Sequence, residues 1–497
     1  MTQVRHICVI RGICGSSRHF SPLVYNSHVY YEQAFEALKN GDFYTAVPLL
    51  EKAARETGYT SEAINHAYTL ALYRVGDKAR LAEVSFRVGT SLVTQDPASA
   101  MDYFQRAMFG GLEQDRVRSI GEIFEQWAAP RVDTTLDGPV THVAHVVGCL
   151  LPGHAPTQYV KMLVSSLKKQ GIESTVFTTE WAASWFFNPT SDPQSQSVDL
   201  EADVKIAAVD GDFLQRAERI AAAIRSSGIQ VAFFHGSLNE QITGRVAAMR
   251  PARVQINVNH GTEMDADVFN GRIHLFENGM HRTRFANEPA EWIPLASDVE
   301  SRLQKSDAVT RQEMGLESAS TISATFGNMY KVAGAGYMRV LAEIMKRFPK
   351  HFHLFAGAGN VRGIRSHLHA EGVLPRVRFL GHVSDVAPLL GVADVYLASF
   401  PHSGGHSILE AMGVGKPVVV LRFPPDSHYN SGAELVGIRE LIAAGEADYI
   451  EIADQLLRNP TLRDQHSQLI RDRFRAQFRP ERLGERYKAF LAMFENS

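Results

Sequence analysis

The amino-acid sequence contains little cysteine, no long apolar run and no excess of charge of one sign. Its three cysteines (Cys8, Cys14 and Cys149) are too few for a disulfide framework in 497 residues, which favours a reducing compartment. No apolar run approaches the roughly 18 residues that cross a membrane, the longest clear one being 143–151. With 51 basic against 54 acidic residues, the chain lacks the basic excess of most nucleic-acid-binding domains. We therefore predict a cytoplasmic protein with no membrane span and no nucleic-acid partner.

The N-terminal segment also lacks the pattern of a targeting signal. Arg5 and Arg11 interrupt what would have to be the apolar core of a signal peptide, so we expect residues 1–28 to form a flexible tail. The remaining chain has the composition of a folded protein, with 45% hydrophobic and 21% charged residues overall. At one domain per ~150 residues, its length predicts three domains.

Residues 29–130 show helical periodicity and almost no strand signal. The dipeptide at 41–42, Gly-Asp, recurs at 76–77, close to the period of about 34 residues of tetratricopeptide repeats. Small residues such as Ala46 and Ala53 lie on one helical face, as paired helices require. We predict two or three degenerate repeats that dock on the next domain, with a generic helical bundle as the alternative.

Beyond 139, apolar strands alternate with amphipathic helices, and the pattern restarts at about residue 320. This alternation is typical of parallel, doubly wound α/β sheets. We predict two Rossmann-like domains facing a cleft, at 139–312 and 320–497, the second ending in helices. The ligand should lie beyond the carboxyl ends of the strands. Predicted strands cover 141–151, 174–179, 229–236, 253–261, 320–327, 351–359, 377–383, 393–400 and 417–421.

The most informative segment is ADVYLASFPHSGGHSILEAM, in which a buried strand leads through a glycine loop into a helix. The glycines allow close backbone approach, and the free N–H groups of the first helical turn favour an anion. A strand–turn–helix capped by serine would explain the glycines and the serine. It would not explain why His406 and Glu410 lie near the same helix start, at the opening of the cleft. A carboxylate there can hold a ribose diol. The predicted donor-binding residues of this segment are Gly404, Gly405, His406, Ser407 and Glu410.

A second loop, FGNMYK, follows the predicted strand at 320–327 of the same domain. Asn328 and Lys331 lie in this loop, where a lysine can pair with phosphate oxygens as a point charge. A surface lysine is the commonest alternative. Together with the helix N-terminus, Lys331 would neutralise a leaving diphosphate through preorganised donors and without a metal.

Three histidines of the first Rossmann-like domain, His154, His235 and His260, lie at or just after predicted strand ends. An imidazole can take a proton from a hydroxyl near neutral pH. We favour His154 as the general base and regard His235 and His260 as pocket residues, with a structural or exposed position as the alternative for each. Asp265 and Asp267 are further candidates for the base or for acceptor binding.

Other short motifs point to neither a metal nor a dinucleotide. The histidines of HFH (351–353) and SHLH (366–369) lack a carboxylate or cysteine at ligand spacing, so outward strand and helix faces are the better interpretation. The segment FAGAGNVRG (355–363) lacks the spacing and downstream acid of a dinucleotide fingerprint and indicates a tight strand–helix turn.

Taken together, these motifs resemble those of GT-B glycosyltransferases. They are most similar to the O-linked N-acetylglucosamine transferase family, in which tetratricopeptide repeats precede two Rossmann-like domains. The likeness runs over roughly 139–490. Here FGNMYK (326–331) stands for the family's FNQLYK, GGHSI (404–408) for NGHTT, PGHAPTQY (152–159) for GNHPTSH, and AMRPARVQ (248–255) for ALRPAPIQ.

The resemblance implies roles for the residues that match these motifs. Asn328 and Lys331 would contact the phosphates of a nucleotide sugar. His406 and Ser407 would hold the diphosphate, and His154 would lie near the acceptor and the sugar.

The sequence also departs from that family. EAMGVGKPVV is more similar to the large retaining GT-B family that carries an E-x7-E signature. Glu410 matches the second glutamate of that signature, whereas His402 stands at the first. Inverting and retaining outcomes therefore both stay open.

The resemblance implies a metal-independent glycosyltransferase with no resident cofactor and a nucleotide sugar as co-substrate. A UDP-sugar such as UDP-N-acetylglucosamine is favoured. We predict transfer to a protein side chain recruited by the helical repeats. One alternative is a retaining transferase that acts on a glycan or lipid-linked acceptor, with the helical region as a dimer or docking surface. Another is a repeat-based binding protein with an inactive transferase domain.

Overall fold

In the computed structural model, an all-helical region is followed by two parallel α/β sheets, as the sequence predicts. Helices flank the strands of both sheets in the order expected of Rossmann-like domains. The structure describes residues 22–111, 113–131, 133–148, 150, 155–178, 199–206, 213–235, 241–260, 266–277, 280, 285, 288–316, 321–424 and 431–495.

The helical region is built from consecutive helices whose ends explain the recurring Gly-Asp dipeptide. Gly41 and Gly76 adopt left-handed backbone angles where one helix stops. The side chains of Asp42 and Asp77 then cap the next helix by accepting a backbone N–H three residues on. The helices are α1 (Pro22–Lys39), α2 (Phe43–Glu56), α3 (Glu62–Val75), α4 (Lys78–Leu92), α5 (Pro97–Gly110) and α6 (Gln114–Gln126).

The predicted tail at 1–28 is too long, because α1 begins at Pro22. Proline suits a first helical turn, where its missing N–H has no partner to lose. Fully buried Ala34 packs this helix on the core of α2, and such tertiary packing stabilises helices more than propensity alone. Residues 1–21 lie outside the described residues.

Two separate cores divide the helical region. One core contains apolar residues of α1 to α4 and reaches into α5, whereas Phe104 of α5 and Phe124 of α6 share a second core with strand residues such as Val146. Backbone contacts reinforce this junction, since the Ala129 N–H donates to the carbonyl of Ala248 at 2.8 Å. The last two helices are therefore part of the folded unit that contains the first sheet.

All seven strands of the first sheet are parallel, in the order β3-β2-β1-β4-β5-β6-β7. The sequence did not predict β3, β6 and β7, which are three or four residues long and too short to show a period. The strands are β1 (His142–Val147), β2 (Glu173–Thr178), β3 (Asp203–Ile206), β4 (Val231–His235), β5 (Val254–Asn259), β6 (Gly271–His274) and β7 (Ala290–Trp292). The helices among them are α7 (Ala155–Lys169), α8 (Phe213–Ser227) and α9 (Gln241–Ala248), and α10 (Val299–Lys305) follows.

The second sheet is also parallel, in the order β10-β9-β8-β11-β12-β13. Its strands are β8 (Thr321–Phe326), β9 (His351–Ala356), β10 (Val377–Phe379), β11 (Val395–Leu397), β12 (Val418–Leu421) and β13 (Ile442–Ala443). The helices are α11 (Met329–Val332), α12 (Ala335–Arg347), α13 (Arg362–Ala370), α14 (Ala387–Val392), α15 (Gly405–Val414), α16 (Ser431–Val436), α17 (Glu446–Arg458), α18 (Pro460–Gln477) and α19 (Pro480–Glu495).

The histidines of HFH do not face outward, contrary to the sequence-based interpretation. His351 and His353 are fully buried in β9, and both rings hydrogen-bond the hydroxyl of Ser323, at 2.8 and 2.7 Å. A neutral imidazole with a hydroxyl partner can be buried at little cost, which strand alternation alone does not reveal.

The last helix, α19, returns to the first domain. The hydroxyls of Tyr487 and Tyr159 lie 2.9 Å apart, and Gly484 packs so closely on Ser166 that a Cβ there would overlap its carbonyl. The predicted C-terminal helices thus exist, but the final one packs on α7 of the first domain.

Candidate active site

The two motif loops of the second domain follow β8 and β11, the neighbouring strands at which the strand order reverses. Ligands of open α/β sheets bind at such a switch point. The hydroxyl of Tyr396 in β11 binds both the N–H and the carbonyl of Phe326, each at 3.1 Å, and so fixes the end of β8. The tertiary structure therefore brings the predicted donor-binding loops together.

Lys331 lies in the short helix α11, not in a loop as the sequence suggested. The turn before it packs on the glycine turn after β9, where Gly357 has a φ of +149° and a Cβ would overlap the carbonyl of Gly327. The Met329 N–H also donates to Ala358 at 2.9 Å. The tight turn predicted at 355–363 is therefore present, and it holds the helix that carries Lys331.

Burial lowers the pKa of Lys331. Among the described residues no carboxylate opposes this shift, so the ammonium lies in a partly desolvated place without a counter-charge there. Asn328, one turn earlier, is exposed. An uncompensated cation of this kind fits a site that receives an anion.

His406 lies in the first turn of α15, and its Nε2 is buried with no hydrogen-bond partner among the described residues. Burial, followed by the charge of Arg302, lowers the pKa of His406 to about 4, so the ring is neutral at pH 7. Lys331 also lowers this pKa, which places its charge close to the ring. The hydroxyl of Ser403, just before the helix, is likewise buried without a partner among these residues.

Glu410 is already held by a residue that the sequence did not single out. Nη2 of Arg302 donates to Oε1 of Glu410 at 2.6 Å, and the same guanidinium pairs with Asp298 and Asp385. Burial raises the pKa of Glu410, while Arg302 opposes that rise. Arg302 lies 108 positions before Glu410 in a segment with no motif, so no local signal pointed to it.

The first domain reaches the same loop through two apolar side chains. A Cβ at Gly405 would lie 3.0 Å from Leu295 and 3.4 Å from Phe276, which follows β6. The sequence predicts that the glycines let a ligand approach the backbone. At Gly405, side chains of the first domain take up part of that space. Ser407 lies beside Gly404 and the hydroxyl of Tyr396.

Of the histidines predicted in the first domain, the structure describes His235 and His260. His235 ends β4 and is buried, and Nε2 of this ring lies 2.8 Å from Nδ1 of His145, a residue that the sequence did not single out. Its Nδ1 lies 3.2 Å from Nε2 of half-buried His260. Burial lowers the pKa of His145 to about 3 and that of His235 well below its usual value.

His154 and Asp265 lie outside the described residues. Asp267 pairs with Arg131, and its N–H bonds Glu125, so it contacts the end of the helical region. No group of three or more histidine, cysteine or acidic residues suited to a metal occurs in the part of the chain that is described. Nor does that part contain a helix long and apolar enough to span a membrane.

Residues 322–459 match the family model of glycosyl transferases group 1. The chain is 29% identical over 192 residues to the lipopolysaccharide core biosynthesis glycosyltransferase LpsE of Rhizobium meliloti, covering 37% of this chain and 54% of that protein. It is 32% identical over 142 residues to a phosphatidyl-myo-inositol mannosyltransferase of Mycobacterium leprae, covering 25% and 34%. The chain thus spans about half or less of the length of these curated relatives.

Among solved structures, a mutant O-GlcNAc transferase of Thermobaculum terrenum shares the fold over 96% of this chain and 99% of its own, with a TM-score of 0.57 and 16% identity. Anabaena HepE, in complex with UDP and glucose, covers 71% of this chain and 100% of its own, at a TM-score of 0.54 and 14% identity. The chain therefore has the GT-B fold. Its second Rossmann-like domain is a glycosyltransferase group 1 domain.

Proposed function

We propose that the protein transfers a sugar from a nucleotide sugar, with a UDP-sugar favoured, and does so without a metal or resident cofactor. The observation that carries this proposal is a set of polar groups on α11 and around the start of α15 that lack partners among the described residues. Lys331 lacks a counter-charge, and Nε2 of His406 and the hydroxyl of Ser403 lack hydrogen-bond partners among the described residues. An arriving diphosphate would supply what these groups lack.

The chemistry required is stabilisation of the negative charge that grows on the leaving diphosphate. The N-terminus of α15 contributes free N–H groups and a positive dipole end. Lys331 adds a full charge, and neutral His406 donates from Nε2 in one of its tautomers. Such preorganised donors in a partly desolvated site stabilise developing charge strongly.

The other predicted residues keep narrower roles in this proposal. Asn328 contacts the phosphates, and Gly404 allows the nucleotide to approach the backbone. Ser407 binds the diphosphate, and Glu410, oriented by Arg302, accepts from the ribose hydroxyls. On the acceptor side, His154 and His260 are the candidates for the base.

Nucleotide binding tests the donor site directly. We expect UDP and UDP-sugars to raise the melting temperature in a thermal-shift screen that also includes GDP-sugars and other nucleotide sugars. A ligand at 100 times its Kd stabilises the folded state by about 2.7 kcal/mol. If no nucleotide stabilises the chain, the donor site does not exist, and the repeat-based binding protein becomes the better proposal.

For the acceptor we propose a protein side chain, delivered by the helical region in the cytoplasm. Support comes from the position of this region beside the first sheet and from exposed Tyr44, whose side chain is 77% accessible on α2. Radiolabelled sugar appearing on protein in a host extract would support it. Replacing Tyr44 with Ser should then lower protein labelling and leave donor hydrolysis unchanged.

A glycan or lipid-linked acceptor is the second candidate. The names of the two curated relatives, one for lipopolysaccharide core synthesis and one for a phosphatidyl-inositol acceptor, favour it. Label in the lipid or oligosaccharide fraction of the same extract, with none on protein, would decide for this acceptor.

A further inference from the structure

A row of hydrogen-bonded imidazoles runs through the first sheet. Nδ1 of His145 lies 2.8 Å from Nε2 of His235, and Nδ1 of His235 lies 3.2 Å from Nε2 of His260. At the inner end, Nε2 of His145 lies 3.2 Å from the hydroxyl of Ser174. We call Ser174, His145, His235 and His260 the histidine chain.

The histidine chain leads from the interior towards the cleft. His145 lies inside β1, His235 is the last residue of β4, and His260 follows β5. The carbonyl of Asn259, next to His260, accepts the N–H of Leu275, and the following Phe276 faces Gly405 of the donor-binding helix. His260 is therefore at the edge of the sheet that meets the donor loops.

Burial keeps the two inner rings uncharged. His145 stacks on Phe233 with ring centroids 5.4 Å apart, and both His145 and His235 are almost fully buried. The charge of His142 further lowers the pKa of His145, and the charges of His145 and His260 further lower that of His235. Each imidazole therefore carries one proton and has one nitrogen that accepts.

This geometry couples the tautomers. Each link joins Nδ1 of one ring to Nε2 of the next, and one link can hold only one proton. If His260 donates from Nε2, then His235 must donate from Nε2 to His145, and His145 from Nε2 to Ser174. If the direction reverses, all three rings carry the proton on Nδ1. While His260 is neutral, the three histidines must therefore share one tautomer.

We propose that His145 and His235 are positioning residues that hold His260 with its proton on Nε2, so that Nδ1 of His260 takes the proton of the acceptor hydroxyl. This proposal rests on the proposed glycosyl transfer. The acceptor O–H bond breaks as its oxygen bonds the anomeric carbon, and the bond from that carbon to the diphosphate breaks with its electron pair on the leaving group. The resulting His260 cation still donates from Nε2 to His235, so no proton need enter the interior.

Wild-type protein labelled with ¹⁵N-histidine provides the first test, through long-range ¹H–¹⁵N correlation spectra at pH 7.5. We expect Nε2–H tautomers for all three rings, assigned by loss of signals in single variants. Mixed tautomers, or three Nδ1–H rings, would overturn the proposal. This spectrum needs no substrate, so it is independent of whether any nucleotide binds.

His145→Phe provides the second test, because it keeps the stacked ring and removes the hydrogen-bond partner. A buried N–H without an acceptor is rarer in proteins than an unpaired acceptor, so His235 should move its proton to Nδ1. His260 must then accept at Nε2 and carry its proton on Nδ1, where it can no longer act as a base. We expect its tautomer signal to change in the same way.

Turnover of UDP-glucose and UDP-N-acetylglucosamine, with water as acceptor, measures the consequence. We expect kcat to fall at least tenfold in His145→Phe, and by no more than the roughly 10²–10⁴-fold that a general base contributes. The donor KM and the Kd of UDP should stay unchanged. His145→Gln, whose amide can donate or accept, should restore part of kcat.

His353→Phe is the matched control, since it removes a buried imidazole from the other sheet. It should leave the tautomers of the histidine chain and kcat unchanged. Equal losses of kcat in His145→Phe, His145→Gln and His353→Phe would indicate a structural effect and overturn the proposal. A wild-type protein that binds no UDP would instead refute the proposed function.

Discussion

At the scale of single residues, a buried polar group without a partner says more about ligands than a well-paired one. Lys331 and His406 are examples, because among the described residues Lys331 is desolvated without a counter-charge and Nε2 of His406 is buried without a hydrogen-bond partner. Glu410 differs from them, since Arg302 already satisfies one of its oxygens. Folding therefore gives the carboxylate of Glu410 a cationic partner, whereas the ammonium of Lys331 has no counter-charge among the described residues.

We predict that Lys331→Ala weakens UDP binding and lowers donor turnover by about 10²–10³-fold, the usual effect of removing one preorganised donor. Isothermal titration with UDP and a donor-hydrolysis assay would measure both. Lys346→Ala is the control, since that exposed lysine pairs with Glu371 on the outside of the same domain. Equal activity of Lys331→Ala and wild type would place the diphosphate elsewhere.

At the scale of elements, loops that carry ligand-binding residues depend on the turns beside them. The turn after β9 supports α11 only because its glycines permit contacts that no side chain could make. The sequence motif FAGAGNVRG indicates that turn, yet nothing in it shows which neighbouring loop the turn supports. That partner is 30 residues earlier in the chain, since Gly357 packs on Gly327.

We expect Gly357→Ala to destabilise the fold by about 1–3 kcal/mol, the cost of a non-glycine residue in this backbone region, and to displace α11. Urea unfolding and the Kd of UDP would record the two effects. Gly363→Ala is the matched control, because that glycine lies in α13 with open space around its Cα. The control should be neutral or gain about 0.5–1 kcal/mol. Unchanged stability and UDP affinity in Gly357→Ala would contradict the proposed support.

At the scale of the whole molecule, three regions depend on one another. Helices α5 and α6 share a core with the first sheet, and α19 joins the end of the chain to α7. Glu300, at the connection between the domains, pairs with Arg475 and Arg479 near the end of α18. Each of these contacts joins two of the domains that the sequence predicts.

We therefore predict that deleting residues 1–130 lowers the melting temperature sharply and abolishes donor hydrolysis. The reason is exposure of the apolar surface that Phe104 and Phe124 cover on the first sheet. Deletion of residues 1–21, which precede α1, should leave both properties unchanged. A stable and active deletion of 1–130 would show that the shared core is dispensable.

Buried neutral histidines also make the whole molecule sensitive to acid. The pKa values of His145 and His351 are lowered to about 3 by burial, and that of His406 to about 4. Unfolded histidines titrate near 6.5, so below that pH the unfolded state binds more protons. The contribution of these buried histidines to the free energy of unfolding is complete above about pH 6.5 and is lost as the pH falls towards 3–4.

We predict that the free energy of unfolding falls between pH 6.5 and pH 5, by up to about 1.4 kcal/mol per pH unit for each such histidine. Urea titrations at several pH values would give the slope. His145→Phe should reduce that slope, whereas substitution of exposed His369 by Gln should not. A flat profile over this interval would show that the buried rings can be protonated without cost.

The sequence by itself determined the helical region, the alternation of strands and helices, and the two loop motifs proposed to bind the donor. All of these depend on periodicity, glycine positions and neighbours within a few residues. Only the tertiary structure decided that His351 and His353 face inward, that Arg302 holds Glu410, and that α19 packs on the first domain. The histidine chain belongs to this second group. Its members are far apart in sequence, and strand register, which no local pattern specifies, places them within hydrogen-bond distance.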